Sequence, residues 1–287
     1  HRDLHSFPTR RSSDLPEGIN VTQGNPLLTA LSLLAGLCIT VVLVVLGIYL
    51  LGSALATQIP FSMEVTLAKR IGLLGEEHTS DTRSQALQTL ANRLAAQVEL
   101  PEGMAFSVRY VDDDEVNAYA TLGGVIMLHR GLLDQLHSEN AIALVLAHEM
   151  AHIIHRDPAR VAGGRLLVSA ALGLASAAIG VDLLSNFANM TGNLTVLSFS
   201  RDAERQADVT GVEMVGRAYG HMGGVAEVFE RLAAYEAKTG LSLPEFLASH
   251  PETAGRNETL REQAQKMGIP LDGALTPVAP RLRSGQK

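Results

Sequence analysis

The chain has 287 residues, a formal net charge of −7 and a single cysteine. This length allows one sizeable domain with an appendage. An acidic chain whose body lacks basic clusters is not expected to bind nucleic acid. One cysteine also excludes an intrachain disulfide and a metal site built from several thiolates.

Residues 1–15 resemble the translation of a sequencing-library adapter, and we exclude them from fold reasoning as a non-native scar. The true N-terminus is then expected to differ from His1, and a lost upstream domain stays an open alternative. Residues 16–26 are predicted to form a juxtamembrane segment.

The apolar stretch from Leu27 to Leu51 predicts one transmembrane helix. No charged residue occurs between Glu17 and Glu64. A helix of about 25 residues is longer than the ~30 Å hydrocarbon core of a bilayer. A cleavable signal peptide is shorter and begins with a basic segment, so we expect a membrane anchor with the lipid bilayer as a partner.

Residues 79–110 predict a helix followed by a strand. Thr79-Ser80-Asp81 is a helix-start signal, the leucines that follow share one face, and Pro101 ends the helix. Apolar and polar residues alternate over 106–110, which predicts a half-buried strand.

A β-hairpin is predicted next, with residues 118–121 and 125–128 on either side of Gly123-Gly124. The preceding Asp112-Asp113-Asp114 indicates a turn. A metal-binding alternative for this run is disfavoured because it lacks the Gly and Glu of a calcium loop.

His148-Glu149-Met150-Ala151-His152 is an H-E-x-x-H motif. Residues four apart lie on one face of a helix, so both imidazoles can reach one metal ion. Glu149 lies beside that ion and can take a proton from a bound water, as in zinc metalloproteases. The apolar run before the motif favours a helix, with Ser138 as its N-cap. The alternative is an amphipathic helix that carries two histidines and a glutamate by chance.

This helix is predicted to stop at Asp157-Pro158. His155 lies seven residues after His148 and falls near the same face. We favour a structural role for His155, as a cation at the helix C-terminus, over metal ligation.

A catalytic zinc site needs a third protein ligand and one open position. Glu204 is the candidate, with Ser200 as the N-cap of its helix. Asp208 lies four residues on, on the same face, where it can accept the outer N–H of a ligand histidine. The alternative is a solvated charged face, since Arg201, Asp202 and Arg205 are close by.

A second apolar stretch, from Leu166 to Val181, is predicted not to span the membrane. It is shorter than a usual span. It also lies between His152 and Glu204, so one crossing would separate two ligands. We expect a helix or hairpin that covers the active site or dips into the membrane surface.

Four motifs in order resemble the membrane-associated gluzincins of peptidase family M48, over about residues 60 to 268. Two are the metal motifs above. The third is Val116–Ala120 followed by Gly123-Gly124, where Leu122 stands in place of the proline that is usual in the family. The fourth is Ser249-His250-Pro251 with Arg256 downstream. The family that these motifs resemble includes the CAAX prenyl endopeptidase and quality-control proteases.

The resemblance and the motifs together imply a site with one Zn²⁺ per chain. The expected metal ligands are His148, His152 and Glu204, Glu149 is the expected catalytic base, and Asp208 supports a ligand histidine. His250 and Arg256 are expected to gate the site or to stabilise the transition state. An edge strand at Asn117, Ala118 and Tyr119 is expected to bind extended substrate, as edge strands do in zincins.

The predicted fold class is α+β, mostly α: a zincin-type domain at residues 60–271 with a small β-sheet, one transmembrane helix at 27–51 and a flexible tail at 272–287.

The predicted function is a membrane-anchored zinc endopeptidase in protein quality control. Its expected location is the bacterial inner membrane, single-pass, with the catalytic domain in the periplasm. Its partners are protein or peptide substrates, and the sequence does not predict its oligomeric state. The alternatives are a zinc-binding, chaperone-like membrane protein with little proteolysis and a non-proteolytic zinc hydrolase.

Overall fold

The computed structural model describes residues 25–72, 81–180, 182, 199–239, 250 and 255–283. The chain divides into two compact units, His1–Leu46 and Gly47–Lys287. The described part of the first unit is helical, and the second unit holds the sheet and the other helices. The predicted tail position Lys287 and the motif residues Ser249 and Pro251 lie outside the described residues.

Helices dominate the described part of the chain, and one small sheet lies among them. The helices are α1 (Pro26–Gln58), α2 (Phe61–Arg70), α3 (Thr82–Ala95), α4 (Arg130–Leu133), α5 (Glu139–Ile154), α6 (Asp157–Ile179), α7 (Arg201–Tyr219), α8 (Val225–Thr239) and α9 (Arg256–Lys266). The strands are β1 (Ser107–Val111), β2 (Ala118–Thr121) and β3 (Val125–His129). The predicted fold class, mostly α with a small sheet, is confirmed.

The sheet has the order β1-β3-β2, which leaves β2 as an edge strand. β1 runs parallel to β3, and β2 pairs with β3 antiparallel in the predicted hairpin. The hairpin turns through Gly123 and Gly124, whose φ angles of 75° and 76° suit glycine. A Cβ on Gly124 would lie 2.1 Å from the carbonyl oxygen of Ala105, so this turn has no room for a side chain.

Side-chain caps begin α3, α5 and α7. The Asp81 carboxylate accepts hydrogen bonds from main-chain N–H groups at the start of α3. Ser138 accepts from Ala141 N–H at the start of α5, and Ser200 accepts from Ala203 N–H at the start of α7. These caps satisfy N–H groups that have no partner within the helix.

The motif helix ends just before Asp157-Pro158, as predicted, and the same dipeptide also begins the next helix. α5 ends at Ile154, and Asp157 is the first residue of α6, with Pro158 next to it. Between them Arg156 has φ 64°, the one positive φ of a non-glycine residue in the described chain. Proline is well tolerated in a first helical turn, so this dipeptide begins the second helix.

α5 lies in the centre of the core and is buried from Asn140 to Ile153. It packs along α7 and also contacts α3 and α8. A helix that is surrounded on all sides needs apolar residues on all sides, which explains the Ala-, Leu- and Val-rich run before the motif. The motif therefore lies on a helix that is buried in the centre of the core.

By length and composition alone, α1 and α6 are the two described helices that could cross a membrane. The stretch predicted as a helix or hairpin over the active site is part of the single helix α6, and Val181 lies outside the described residues. The side chains of Leu166, Leu174 and Ile179 on α6 are exposed.

Candidate active site

Four side chains from three parts of the chain converge on one point. His148 and His152 come from α5, Glu204 from the first turn of α7, and His250 from the segment before α9. One donor atom of each lies within 4.8 Å of the others, and all four residues are buried. A buried cluster of two or more imidazoles and a carboxylate is the kind of donor set that holds a transition metal.

The donor atoms are spaced as the ligands of one small ion require. His148 Nε2 lies 3.1 Å from His152 Nε2, and Glu204 oxygens lie 3.3 and 3.5 Å from these two nitrogens. A tetrahedral zinc ion with bonds of about 2.0–2.1 Å separates its ligand atoms by roughly 3.3 Å. Glu204 Oε2 is also buried without a hydrogen bond among the described residues. The residues present therefore fit such an ion.

Carboxylates lie behind both histidines. Asp208 Oδ1 is 3.1 Å from His148 Nδ1, and Asp157 Oδ2 is 2.9 Å from His152 Nδ1. Each contact directs the other ring nitrogen, Nε2, toward the cluster and fixes the tautomer that a ligand needs. The ring of Phe199 stacks on His152 with centroids 4.1 Å apart.

Asp157 was not identified as a site residue from the sequence, which predicted only the end of a helix there. The available signal was its position: it follows His152 by five residues, at the point where the helix breaks. An acid just beyond an H-E-x-x-H helix can fold back on the second histidine.

The charges around the ligands favour ionised Glu204 and protonated His152 when no metal is considered. Burial raises the pKa of Glu204, but hydrogen bonds from His148, His152 and His250 outweigh it and lower that pKa below its usual range. Burial lowers the pKa of His152, but Asp157 and Glu204 raise it to about 9. A metal must therefore displace a proton from this site, so binding should weaken as the pH falls.

Glu149 is buried next to the cluster and points into the same space. Among the described residues, neither of its carboxylate oxygens accepts a well-aligned hydrogen bond. Burial raises the pKa of Glu149, and the charges of His250 and His152, with the nearby Ala120 N–H, only partly offset this. A buried carboxylate with a raised pKa can exchange protons near neutral pH.

His250 occupies the space between the metal-ligand cluster and Glu149. Its Nδ1 lies 2.9 Å from Glu204 Oε1 and 3.2 Å from His148 Nε2, and its Nε2 lies 3.4 Å from Glu149 Oε1. The imidazole is fully buried, and burial lowers its pKa. A neutral imidazole in this place can act as a fourth ligand where an open site would hold water.

Arg256 begins α9 and joins the cluster through Asp208. Its Nε and Nη2 contact the two Asp208 oxygens at 2.9 and 2.6 Å, the fork-like geometry of a strong charge-assisted pair. Nη2 also lies 3.6 Å from Glu204 Oε2. Arg256 therefore fixes the carboxylate that orients His148.

The predicted substrate strand lies at the sheet edge, but its residues differ in their distance from the site. Ala118 and Tyr119 belong to β2, and Asn117 precedes it. Tyr119 packs against His129, with ring centroids 5.8 Å apart, and the Asn117 amide donates to Glu115. The strand residue next to Glu149 is Ala120, which the sequence did not single out.

His155 lies outside the cluster, in agreement with a structural role rather than ligation, but its burial disfavours the cationic form expected from the sequence. Its Nε2 lies 2.9 Å from Thr210 Oγ1 on α7, and burial lowers its pKa. A lowered pKa weakens the contribution that His155 can make as a cation at the helix C-terminus. His155 instead bridges α5 and α7.

A second group of potential ligands lies at the far end of the hairpin. Asp113, Glu115 and His129 bring donor atoms within 4.8 Å of one another. Two of the three are partly or largely exposed, while Asp112 and Asp114 pair with Arg130. The predicted turn therefore lies at the surface, and this group is separate from the buried cluster.

Comparison with known proteins assigns the family. The model of Peptidase family M48 matches residues 81–264, which include every residue of the buried cluster. This chain belongs to peptidase family M48. The predicted resemblance is confirmed, and the chain carries the metallopeptidase domain of that family.

Named relatives match the same part of the chain. It is 28% identical over 199 residues to the beta-barrel assembly-enhancing protease of Yersinia pestis, covering 64% of this chain and 39% of that protein. It is 29% identical over 175 residues to the mitochondrial metalloendopeptidase OMA1 of Schizosaccharomyces pombe, covering 60% and 51%. It is 28% identical over 189 residues to the metalloprotease LoiP of Escherichia coli, covering 65% and 72%. The match thus spans less than half of the first relative and about half of the second.

Proposed function

We propose that this chain is a membrane-anchored zinc endopeptidase that hydrolyses peptide bonds in misfolded envelope or membrane proteins. The observation that carries the proposal is the buried Glu149, whose Oε1 lies 3.4 Å from His250 Nε2, beside the convergent donors of His148, His152 and Glu204. Burying a carboxylate that has few polar partners is costly, and a role in taking up and releasing a proton accounts for its position here.

Zinc is the preferred metal because the donors are two imidazoles and one carboxylate in a compact, water-poor site. When bound, the metal supplies Lewis-acid polarisation of the scissile carbonyl and acidifies a coordinated water. Asp157 and Asp208 hold the two histidines in the tautomer that directs Nε2 inward. One ion per chain is expected.

Glu149 is proposed to move the protons of the reaction. It accepts a proton from the attacking water and then donates it to the nitrogen of the leaving amine. Its raised pKa suits both steps, because a strongly acidic carboxylate would hold the proton too weakly to deliver it. β2 would align the extended substrate by strand addition, with Ala120 beside the catalytic carboxylate.

The substrate class and the location are supported by the family and by the names of the relatives. One relative is named for enhancing β-barrel assembly, which points to proteins of the bacterial envelope. The long apolar helix α1 suits a membrane anchor. We propose that the chain is a single-pass protein of the inner membrane with its catalytic domain in the periplasm.

The first prediction tests the mechanism by comparing full-length wild type with Glu149→Gln on casein. Loss of the general base should lower turnover by about 10²–10⁴-fold while one zinc per chain is retained. His148→Ala should lose both zinc and activity, which shows that the metal assay responds. Metal content is measured by elemental analysis after dialysis. A Glu149→Gln protein that cleaves at the wild-type rate would refute the mechanism, and an inactive wild type that holds zinc would favour the chaperone-like alternative.

A further inference from the structure

Glu64 and Arg156 form a buried ion pair outside the catalytic cluster. Glu64 comes from α2, directly after the apolar helix α1, and its side chain is only 7% exposed. Its Oε2 lies 3.0 Å from Arg156 Nη2. The mechanism above uses neither residue.

Glu64 holds the turn that follows the edge strand. Its Oε1 accepts a 2.8 Å hydrogen bond from Gly123 N–H, the first glycine of the turn between β2 and β3. Phe61, on the same helix, packs against Gly124: a Cβ built on Gly124 would lie 3.0 Å from the Phe61 ring. α2 is therefore seated directly against the turn.

Arg156 links the end of the metal-motif helix to the end of α1. It lies between His152 and Asp157, the carboxylate that orients that histidine. Its guanidinium also donates to the carbonyl oxygen of Ile59 at 2.8 Å, just beyond the C-terminus of α1. Its left-handed backbone is unfavourable for a side chain with a Cβ, and such strain persists only where the surroundings impose it.

The two residues together link three parts of the molecule. Glu64 contacts the turn after β2, Arg156 follows the metal helix α5, and both lie at the end of α1. A buried ion pair is weak evidence for stability, because apolar residues of similar volume often stabilise a fold as well or better. A role in positioning explains why charged groups are placed here.

We propose that Glu64 and Arg156 are positioning residues that set the place of β2 relative to Glu149 and the metal helix, and so govern the binding of extended peptides. This inference rests on the proposed peptidase function. Glu64 acts through the main chain of Gly123, because that turn determines where β2 ends. The pair also makes the end of α1 part of the substrate-binding architecture.

The test compares two fluorogenic peptides on full-length protein in detergent. An eight-residue peptide can pair along the whole of β2, while a four-residue peptide reaches little beyond the scissile bond. Glu64→Ala should raise KM for the long peptide about tenfold, with kcat, zinc content and KM for the short peptide little changed. Glu64→Gln keeps an acceptor for Gly123 N–H and should have a smaller effect.

Two further variants separate positioning from stability. The double variant Glu64→Met/Arg156→Leu should fold with a Tm near that of wild type and still raise KM for the long peptide. Glu139→Gln removes an acidic partner of Arg93 at the start of α5, away from the edge strand. It should lower Tm without changing the preference for peptide length.

Measuring peptide binding in a variant that cannot cleave tests the positioning role separately from the proposed peptidase function. In a Glu149→Gln background, fluorescence anisotropy of the labelled long peptide should show the same tenfold weakening on Glu64→Ala. Parallel changes for both peptides, or no change, overturn the positioning role. Peptides that bind but are not cleaved by wild type refute the peptidase function alone, and a long peptide that does not bind refutes both.

Discussion

The side chains behind the ligands decide how firmly this site can hold a metal. Asp157 and Asp208 each fix one ligand histidine, and Arg256 fixes Asp208 in turn. Such partners raise the basicity of the imidazole and remove the freedom to rotate it away from the ion. On the proposed ligand set, metal affinity should therefore depend also on residues that do not touch the metal.

Asp157→Asn tests this second layer of the site. The amide can still contact His152 Nδ1 but cannot supply the negative charge, so zinc affinity should fall by about 10–100-fold. Competition with a chelator of known affinity measures the change. Asp202→Asn, at an exposed position in the first turn of α7, is the control and should leave zinc affinity unaltered. Equal affinities for Asp157→Asn and wild type would remove Asp157 from the site.

Replacing His250 should change the proteolytic activity, and the direction of that change distinguishes two roles for this residue. Its Nδ1 lies within 3.2 Å of both His148 Nε2 and Glu204 Oε1, close enough to act as a further ligand of an ion that these residues would hold. The geometry favours a blocking role over stabilisation of the oxyanion. His250→Ala should therefore raise basal casein cleavage several-fold, in the range typical of one lost hydrogen bond or ligand contact.

The outcome of His250→Ala separates the two roles clearly. Lower turnover with zinc retained would assign the residue to transition-state stabilisation instead. Unchanged turnover and unchanged zinc affinity would show that His250 is an ordinary buried loop residue. His137→Ala, at an exposed histidine remote in sequence, serves as the matched control.

At the scale of elements, the sequence predicted what depends on local chemistry. Short-range rules predict three of these features. They are the caps Ser138 and Ser200, the hairpin at Gly123-Gly124 and the buried helix that carries the motif. Features that depend on contacts between residues remote in sequence could not be predicted. Arg156 adopts its left-handed backbone among contacts with Glu64 and Ile59, which are remote in sequence.

The same reason explains why the second helix at the α5–α6 corner and the lowered pKa of His155 could not be predicted. A proline pattern marks a helix boundary but does not say whether a second helix begins there. The charge state of His155 depends on burial against α7, which no local pattern reports. The roles assigned to His250 and Arg256 remain predictions, although the structure brings both into the cluster.

The crossing of α1 and α6 is specified by glycine. A Cβ on Gly163 would lie 2.3 Å from the Ala56 Cβ and 2.6 Å from the Gly52 carbonyl oxygen. Gly164 faces Tyr49 and Ser53 in the same way. The backbones can approach this closely only because side chains are missing, so the C-terminal end of α1 belongs to the folded catalytic unit.

Gly163→Ala should therefore destabilise the protein even though alanine is the better helix former. Overpacking costs about 1–3 kcal/mol, against roughly 1 kcal/mol gained in helix propensity. Gly47→Ala makes the same exchange on α1, where nothing lies within 4 Å, and should be neutral or stabilising. Thermal unfolding of the detergent-solubilised proteins, followed by circular dichroism, gives the two Tm values. A Tm for Gly163→Ala at or above that of Gly47→Ala would contradict a tight crossing.

At the scale of the whole molecule, the metal site constrains the membrane topology. His152 and Glu204 lie 3.5 Å apart, and α6 lies between them in the chain. One crossing by α6 would place the two ligands on opposite faces of the bilayer. Two crossings need about 40 apolar residues and a turn, more than the partly polar stretch between the ligands supplies. On the proposed ligand set, α1 is thus the described helix that we expect to cross the membrane.

The last prediction concerns the direction of that span. With one crossing by α1 and a periplasmic catalytic domain, the N-terminus lies in the cytoplasm and Lys287 lies outside. An epitope tag after Lys287 should therefore be digested when intact spheroplasts are treated with protease, while an N-terminal tag stays protected until the membrane is permeabilised. The positive-inside rule gives little guidance here because few basic residues flank α1, so the experiment decides. A C-terminal tag that survives while a known periplasmic marker is fully digested would reverse the orientation and place substrate cleavage in the cytoplasm.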